Sequence, residues 1–192
     1  IPIPARPIPL YAASPKEDSH MAIDLDFLLA ECGIRQLHAR YCDAVWRFDY
    51  AAFGDCFAED CEWRIDGVVL RGREEIVAKN RALFEANLQR LFITLRTPIL
   101  EVGRGADKGT ATGRTYFSAQ NVLSDGRGFA PFGVYYERFV DEGDSWRLKW
   151  RRFDGLYSGP ADLSGPLHEQ HDYGAPPGMP PGDDETYSIS AL

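Results

Sequence analysis

The sequence predicts an α+β fold: a cone-shaped, curved antiparallel sheet with three N-terminal helices that enclose a pocket. Three observations carry this. Apolar residues recur at three- and four-residue steps through about Leu88. From Leu91 to Leu156 the pattern switches to long alternating runs separated by turn signals. Helices come first and strands follow, whereas a parallel α/β sheet would interleave them.

The first helix is predicted from about Asp24 to Phe48, with Ile34, Leu37, Tyr41, Val45 and Phe48 forming the apolar stripe. Asp49 is placed to cap a second helix, Tyr50 to Phe57. Cys61 to Asp66 reads as a strand that turns at Gly67. Glu74 to Leu88 reads as a third helix, with Ile76, Leu83, Phe84 and Leu88 facing inward. Four long strands follow: Leu91–Val102, Thr110–Val122, Phe129–Val140 and Trp146–Leu156. The second and third are joined by SDGRG, a hairpin turn built on Asp-Gly.

The 192 residues suffice for one domain with appendages. We expect a Pro-rich arm over 1–22, the folded domain over 23–157 and an irregular Pro/Gly-rich tail over 158–192. Ser19-His20-Met21 has the look of an expression scar. Both arms are expected to embrace a neighbouring protomer in a homodimer or homotrimer, because extended segments gain order only by packing. A formal net charge of −8 disfavours nucleic acid as a partner. No apolar run reaches the length of a membrane span. Cys32, Cys42, Cys56 and Cys61 fit no common zinc spacing and are expected to be buried, reduced thiols of a cytoplasmic protein. No metal and no cofactor are called for. His168 and His171, three apart in the tail, are weak evidence for metal and could at most act as lid residues.

The order of elements, with IRQLHARYCDAVWRFDYAAFGDCFAEDCEWRIDG, then GREEI, then YYERFVDEGDSWRLKWRR, resembles the SnoaL-like branch of the NTF2-like superfamily over about Ile23 to Gly155. The resemblance implies the cone fold but no single activity, since the superfamily spans isomerases, dehydratases, a dehydrochlorinase, cyclases, lyases and binding subunits. In the dehydratases and the dehydrochlorinase, a helical Asp pairs with a His on the strand after the third helix. Laid on that pattern, this chain has Trp46 at the Asp position and Ile93 or a neighbour at the His position. The dyad is therefore missing. Tyr41 matches a pocket tyrosine, Trp63 a pocket tryptophan, and Arg151 or Arg152 a basic residue of the last strand.

The residues themselves supply further candidates. Adjacent strand residues point to opposite faces, so one of Arg151 and Arg152 must face the concave side. Sharing a face with Trp150 favours Arg152; the spacing from Trp146 favours Arg151. His38 lies one turn below Tyr41 and is expected either to bond backbone at the helix foot or to serve as an acid or base. Tyr135 and Tyr136 alternate, and one of them should reach the pocket. The catalytic candidates are therefore Tyr41, Arg151, Arg152 and His38. The expected substrate contacts are Trp46, Trp63, Val45, Ile93, Phe117 and Tyr136.

The function expected is a cofactor-independent lyase that eliminates water or formaldehyde from a small aromatic or polycyclic, lignin-derived substrate. The alternatives are a non-catalytic β-subunit of a ring-hydroxylating dioxygenase or other binding module, and a dehydratase or isomerase with a relocated base.

Overall fold

The computed structural model describes residues 24–176 and 178–184. The Pro-rich arm and the scar-like tripeptide lie outside the described residues.

Helix α1 spans Leu25–Arg47, with Asp24 as N-cap accepting from Phe27 N and Phe48 closing it in the left-handed region. Asp49 caps α2, Tyr50–Gly54, by accepting from Ala52 N at 3.0 Å. Strand β1, Phe57–Ile65, turns at Asp66 and Gly67, which both have positive φ, into β2, Val68–Arg71. Positive φ at both turn residues is what a tight hairpin needs. This second strand was not anticipated. Helix α3 covers Arg73–Asn87.

The expected strand Leu91–Val102 is two strands, β3 over Leu88–Leu95 and β4 over Ile99–Val102, interrupted around Pro98. Proline cannot donate to a ladder. Both pair with β5, Thr110–Leu123. A two-residue β6, Gly128–Phe129, precedes β7, Phe132–Asp141, and β8 is Trp146–Tyr157.

The sheet order is β2-β1-β8-β7-β5-β3, with β4 and β6 also paired to β5. It is mixed rather than wholly antiparallel, because β1 runs parallel to β8. That pairing joins the first strand to the last, which no local signal announces. Register shifts in the β1–β8, β3–β5 and β7–β8 ladders bend the sheet into its cone.

Register sorts the side chains onto two faces. Trp63 pairs with Arg151, Arg151 with Glu137, and Tyr135 with Thr115 and Phe153; these face the helices. Arg64 pairs with Arg152, and Tyr136 with both Arg152 and Arg114; these face outward. The outward face is not bare. Residues 171–176 and 178–184 lie on it, with Tyr173 and Met179 packed on Val134, Tyr136 and Trp150. Arg152 donates to Asp184 Oδ2 at 2.7 Å, and Arg64 to the Asp184 carbonyl at 2.9 Å. Arg114 donates to the carbonyls of Gly174 and Gly178. The described part of the tail thus packs on its own chain.

Candidate active site

Helices α1 and α3 close the cone over a cavity of about 130 Å³. Tyr41 and Val45 come from α1, Trp63 and Ile65 from β1, Leu91 and Ile93 from β3, Phe117 and Ala119 from β5, Tyr135 from β7 and Phe153 from β8. Asp66, Asn80 and Asn121 bring the polar groups. Asn87, Ser158 and the phenols of Tyr41 and Tyr135 add further polar groups to a lining that is mostly apolar.

Beneath the cavity lies an ionised network. Glu137 and Arg151 are both completely buried. Glu137 Oε1 accepts from Arg151 Nε at 2.9 Å and Nη2 at 2.5 Å. Its Oε2 accepts from Thr115 Oγ1 at 2.6 Å and lies 3.1 Å from His38 Nε2, a close approach that is poorly aligned for a hydrogen bond. Burial would raise the Glu137 carboxyl, but the facing His38 and Arg151 charges hold it down at about 2. Burial likewise works against the Arg151 charge, and Glu137 more than restores it.

The Arg151 guanidinium carbon sits 4.4 Å from the Tyr41 ring centroid, 4.3 Å from Tyr135 and 5.4 Å from Trp63. Three ring faces around one cation stabilise a desolvated guanidinium. Burial pushes the Tyr41 phenol up to about 12 despite the lowering field of Arg151. It raises Tyr135 well above the ordinary tyrosine value, with Tyr41 adding to the rise. At neutral pH both phenols are therefore protonated donors, backed by a fixed positive charge.

The sequence-based candidates divide sharply. Tyr41, Val45, Trp63, Ile93 and Phe117 all line the cavity. Trp46 does not: it is 58% exposed and rests on Phe92, with ring centroids 4.3 Å apart. Five residues along a helix turn a side chain by about 140°, so Trp46 cannot share the inward face of Tyr41. Tyr136 and Arg152 are on the outer face, under the tail. Arg151 faces inward, but it lies below the rings and does not line the cavity. His38 meets Glu137 rather than backbone. His171 Nδ1 lies 3.0 Å from Asp154 Oδ1, on the outer face. Cys32 is exposed and Cys42 partly so; only Cys56 and Cys61 are fully buried, and all four are free thiols. Among the described residues, no group of three or more His, Cys, Asp or Glu is placed to hold a metal ion. Among the described residues, no helix is long and apolar enough to cross a membrane.

Of the alternating pair Tyr135 and Tyr136 it is Tyr135 that reaches the cavity, not the expected Tyr136; Glu137, Thr115 and Asp66 were missed. For Glu137 a signal existed: it lies two residues from Tyr135, hence on the same strand face. Asp66 was read only as the last residue of a strand, whereas it lies in the turn after β1.

Fold and cavity together define a protein of the NTF2-like type, in which a curled sheet and the helices packed on it border a cavity. The chain belongs to the SnoaL-like domain family, which it matches over residues 26–152. Among solved structures it is similar to a Mycobacterium tuberculosis protein of unknown function, at 25% identity over 71% of this chain and 78% of that one, with a TM-score of 0.61. It is also similar to a type 2 hexachlorocyclohexane dehydrochlorinase, at 19% identity over 81% and 99% of the two chains, with a TM-score of 0.64. A scytalone dehydratase candidate from Novosphingobium aromaticivorans matches at 15% identity over 76% and 95%, with a TM-score of 0.65. The last two likenesses concern the fold alone. No curated protein matches the chain.

Proposed function

We propose that the protein is a cofactor-independent lyase or isomerase that moves a proton on a small ring substrate bearing an oxygen. One observation carries the reading: a largely apolar cavity ends on two neutral phenols with a buried arginine cation behind them. Such donors favour an oxygen that gains negative charge during the reaction, and they need no reorganisation when the charge arrives. An enolate or a phenolate oxygen fits that description.

The proton requires a base. Tyr41 and Tyr135 are held protonated and cannot serve. Among the described residues that line the cavity there is no histidine, and Asp66 is the one carboxylate. Asp66 therefore takes the role that the missing helical dyad leaves open: it removes a carbon-bound proton while the electrons move toward the oxygen held by the phenols. This is the relocated-base reading rather than one in which Arg151 meets the substrate. Arg151 acts through the two phenols, as a positioning residue.

Size restricts the ligand. An engineered cavity of about 150 Å³ is filled by benzene, so a chamber of about 130 Å³ accepts one ring and not a polycycle. The dehydratase and dehydrochlorinase similarities agree with elimination as the reaction class. The ionised network under the cavity supports an enzyme over a purely assembling subunit, which has no use for it.

The reading is tested by incubating the protein with 4-hydroxyphenyl carbinols and with small cyclic ketones in D₂O. We expect protein-dependent elimination, followed by absorbance, or deuterium exchange beside the carbonyl, followed by NMR. Activity should be abolished in Asp66→Asn. Neither elimination nor exchange across both substrate classes would refute the reading.

A further inference from the structure

A second cleft, of about 210 Å³, lies between α1 and the break that separates β3 from β4. Arg35, His38 and Cys42 line it from α1, and Arg96, Thr97 and Pro98 from the break. None of its lining residues also lines the cavity. We propose that this cleft is a binding site for a small oxyanion, a carboxylate or a phosphate, held by Arg35, Arg96 and His38. The site goes beyond the lyase or isomerase reading and does not depend on it.

The two arginines are the first observation. The chain carries 29 Asp and Glu against 21 Lys and Arg, so acidic partners are in excess. The exposed Arg47, Arg81, Arg104 and Arg127 each pair with an Asp or Glu. Among the described residues, Arg35 and Arg96 pair with none. Two such cations bordering one cleft repel each other until an anion joins them. No Asp or Glu is among the lining residues to oppose that anion. Burial raises the Cys42 thiol, which keeps it neutral there.

His38 is the second. Its side chain is 5% exposed and forms part of the cleft wall. Nε2 lies 3.1 Å from Glu137 Oε2, while the buried Nδ1 has no hydrogen-bond partner among the described residues. The two ring nitrogens point in well-separated directions, so Nδ1 is turned away from Glu137. A buried nitrogen without a partner is costly, and a ligand oxygen in the cleft removes that cost. The Glu137 oxygens are already held by Arg151 and Thr115, which tempers their repulsion of an anion. Size and donor type select the ligand class. The cleft is smaller than the roughly 300 Å³ at which drug-sized sites begin, so it suits an ion or a short organic acid. Guanidinium groups match the paired oxygens of a carboxylate or phosphate, and Thr97 adds a hydroxyl donor to the lining.

The experiment titrates the whole chain with inorganic phosphate and, separately, with acetate, at constant ionic strength. Calorimetry should show saturable binding of at least one of them. Arg35→Gln and Arg96→Gln change exposed side chains and should fold normally. Each should weaken that binding by about tenfold, the loss expected for one hydrogen bond from a charged group. Arg90 is an exposed arginine of β3 that also has no carboxylate partner among the described residues. Arg90→Gln removes the same charge outside the cleft and should leave binding unchanged. In imidazole NMR spectra, the His38 ring signals, identified by their loss in His38→Gln, should shift as the anion is added. The proposal is overturned if neither anion binds saturably, if binding survives both cleft variants, if Arg90→Gln weakens it equally, or if the His38 signals stay fixed. The elimination and exchange assays test the cavity separately.

Discussion

Glu137 and Arg151 face one another across β7 and β8, both without exposed side-chain surface, and share a hydrogen bond of 2.9 Å from Nε to Oε1. The pair sets the charge beneath the cavity, since Glu137 anchors Arg151 and Arg151 in turn lies against Tyr41 and Tyr135. Two buried charges hold each other only while both are present.

Removing one partner should be costly. Glu137→Gln is expected to destabilise the fold by about 3–5 kcal/mol, as for other broken buried pairs. The double variant Glu137→Leu with Arg151→Met should be markedly more stable than either single change, because no lone charge remains. Urea unfolding of the three variants measures this. An additive double variant would contradict it.

Stability should fall with acid in a defined window. The folded Glu137 carboxyl sits at about 2, below its ordinary value of 4.5. A depressed carboxyl contributes stability that is fully present above the unfolded value and is lost as pH falls toward the folded one. We therefore expect the urea midpoint to drop between about pH 5 and pH 2. The Glu137→Gln variant should show a shallower drop there; an unchanged slope would mean that other carboxylates dominate.

Tyr41→Phe and Tyr135→Phe should each lower turnover by about 10²–10³-fold, the cost of losing one oxyanion donor. The fold should be nearly unaffected, since only a hydroxyl leaves an otherwise apolar wall. The readout is kcat on whichever carbinol or ketone proves active, alongside a thermal melt.

Asp66→Asn should cost about 10²–10⁴-fold in rate as the general base is removed. Asp66 has φ of 51°, a left-handed conformation that asparagine tolerates well. The variant should therefore fold normally, and retained activity in it would assign the base elsewhere.

Trp46→Ala should leave both ligand binding and rate unchanged, because the indole is outside the cavity. The same change at Trp63 should abolish binding, as it removes a wall of the chamber and one of the rings around Arg151. Calorimetry with p-cresol separates the two.

Much of the cone was legible along the chain. The start of the first helix near Asp24, the Asp49 cap, the stripe Ile34–Leu37–Tyr41–Val45 and the Asp-Gly turn at 125 and 126 are local signals, and the structure realises each of them. The site was less legible. Tyr41, Val45, Trp63, Ile93 and Phe117 lay on the expected faces, but Trp46 was placed by alignment with a missing catalytic residue rather than by its angle around α1. Asp66 gained its candidate role only when the β1–β2 turn was seen to border the chamber.

The sequence by itself determined the helices, most of the strands, their order and the rule that Arg151 and Arg152 point to opposite faces, because backbone geometry imposes a two-residue period on any strand. Only the tertiary structure decided which face was the inside. The parallel β1–β8 pairing curls the sheet so that Arg151 meets Glu137 under the cavity, while residues 171–176 and 178–184 cover the other face and bury Arg152 against Asp184. With both faces buried, the polar-out alternation that normally marks the inside is erased. Partners distant in the chain then decide the environment of each arginine.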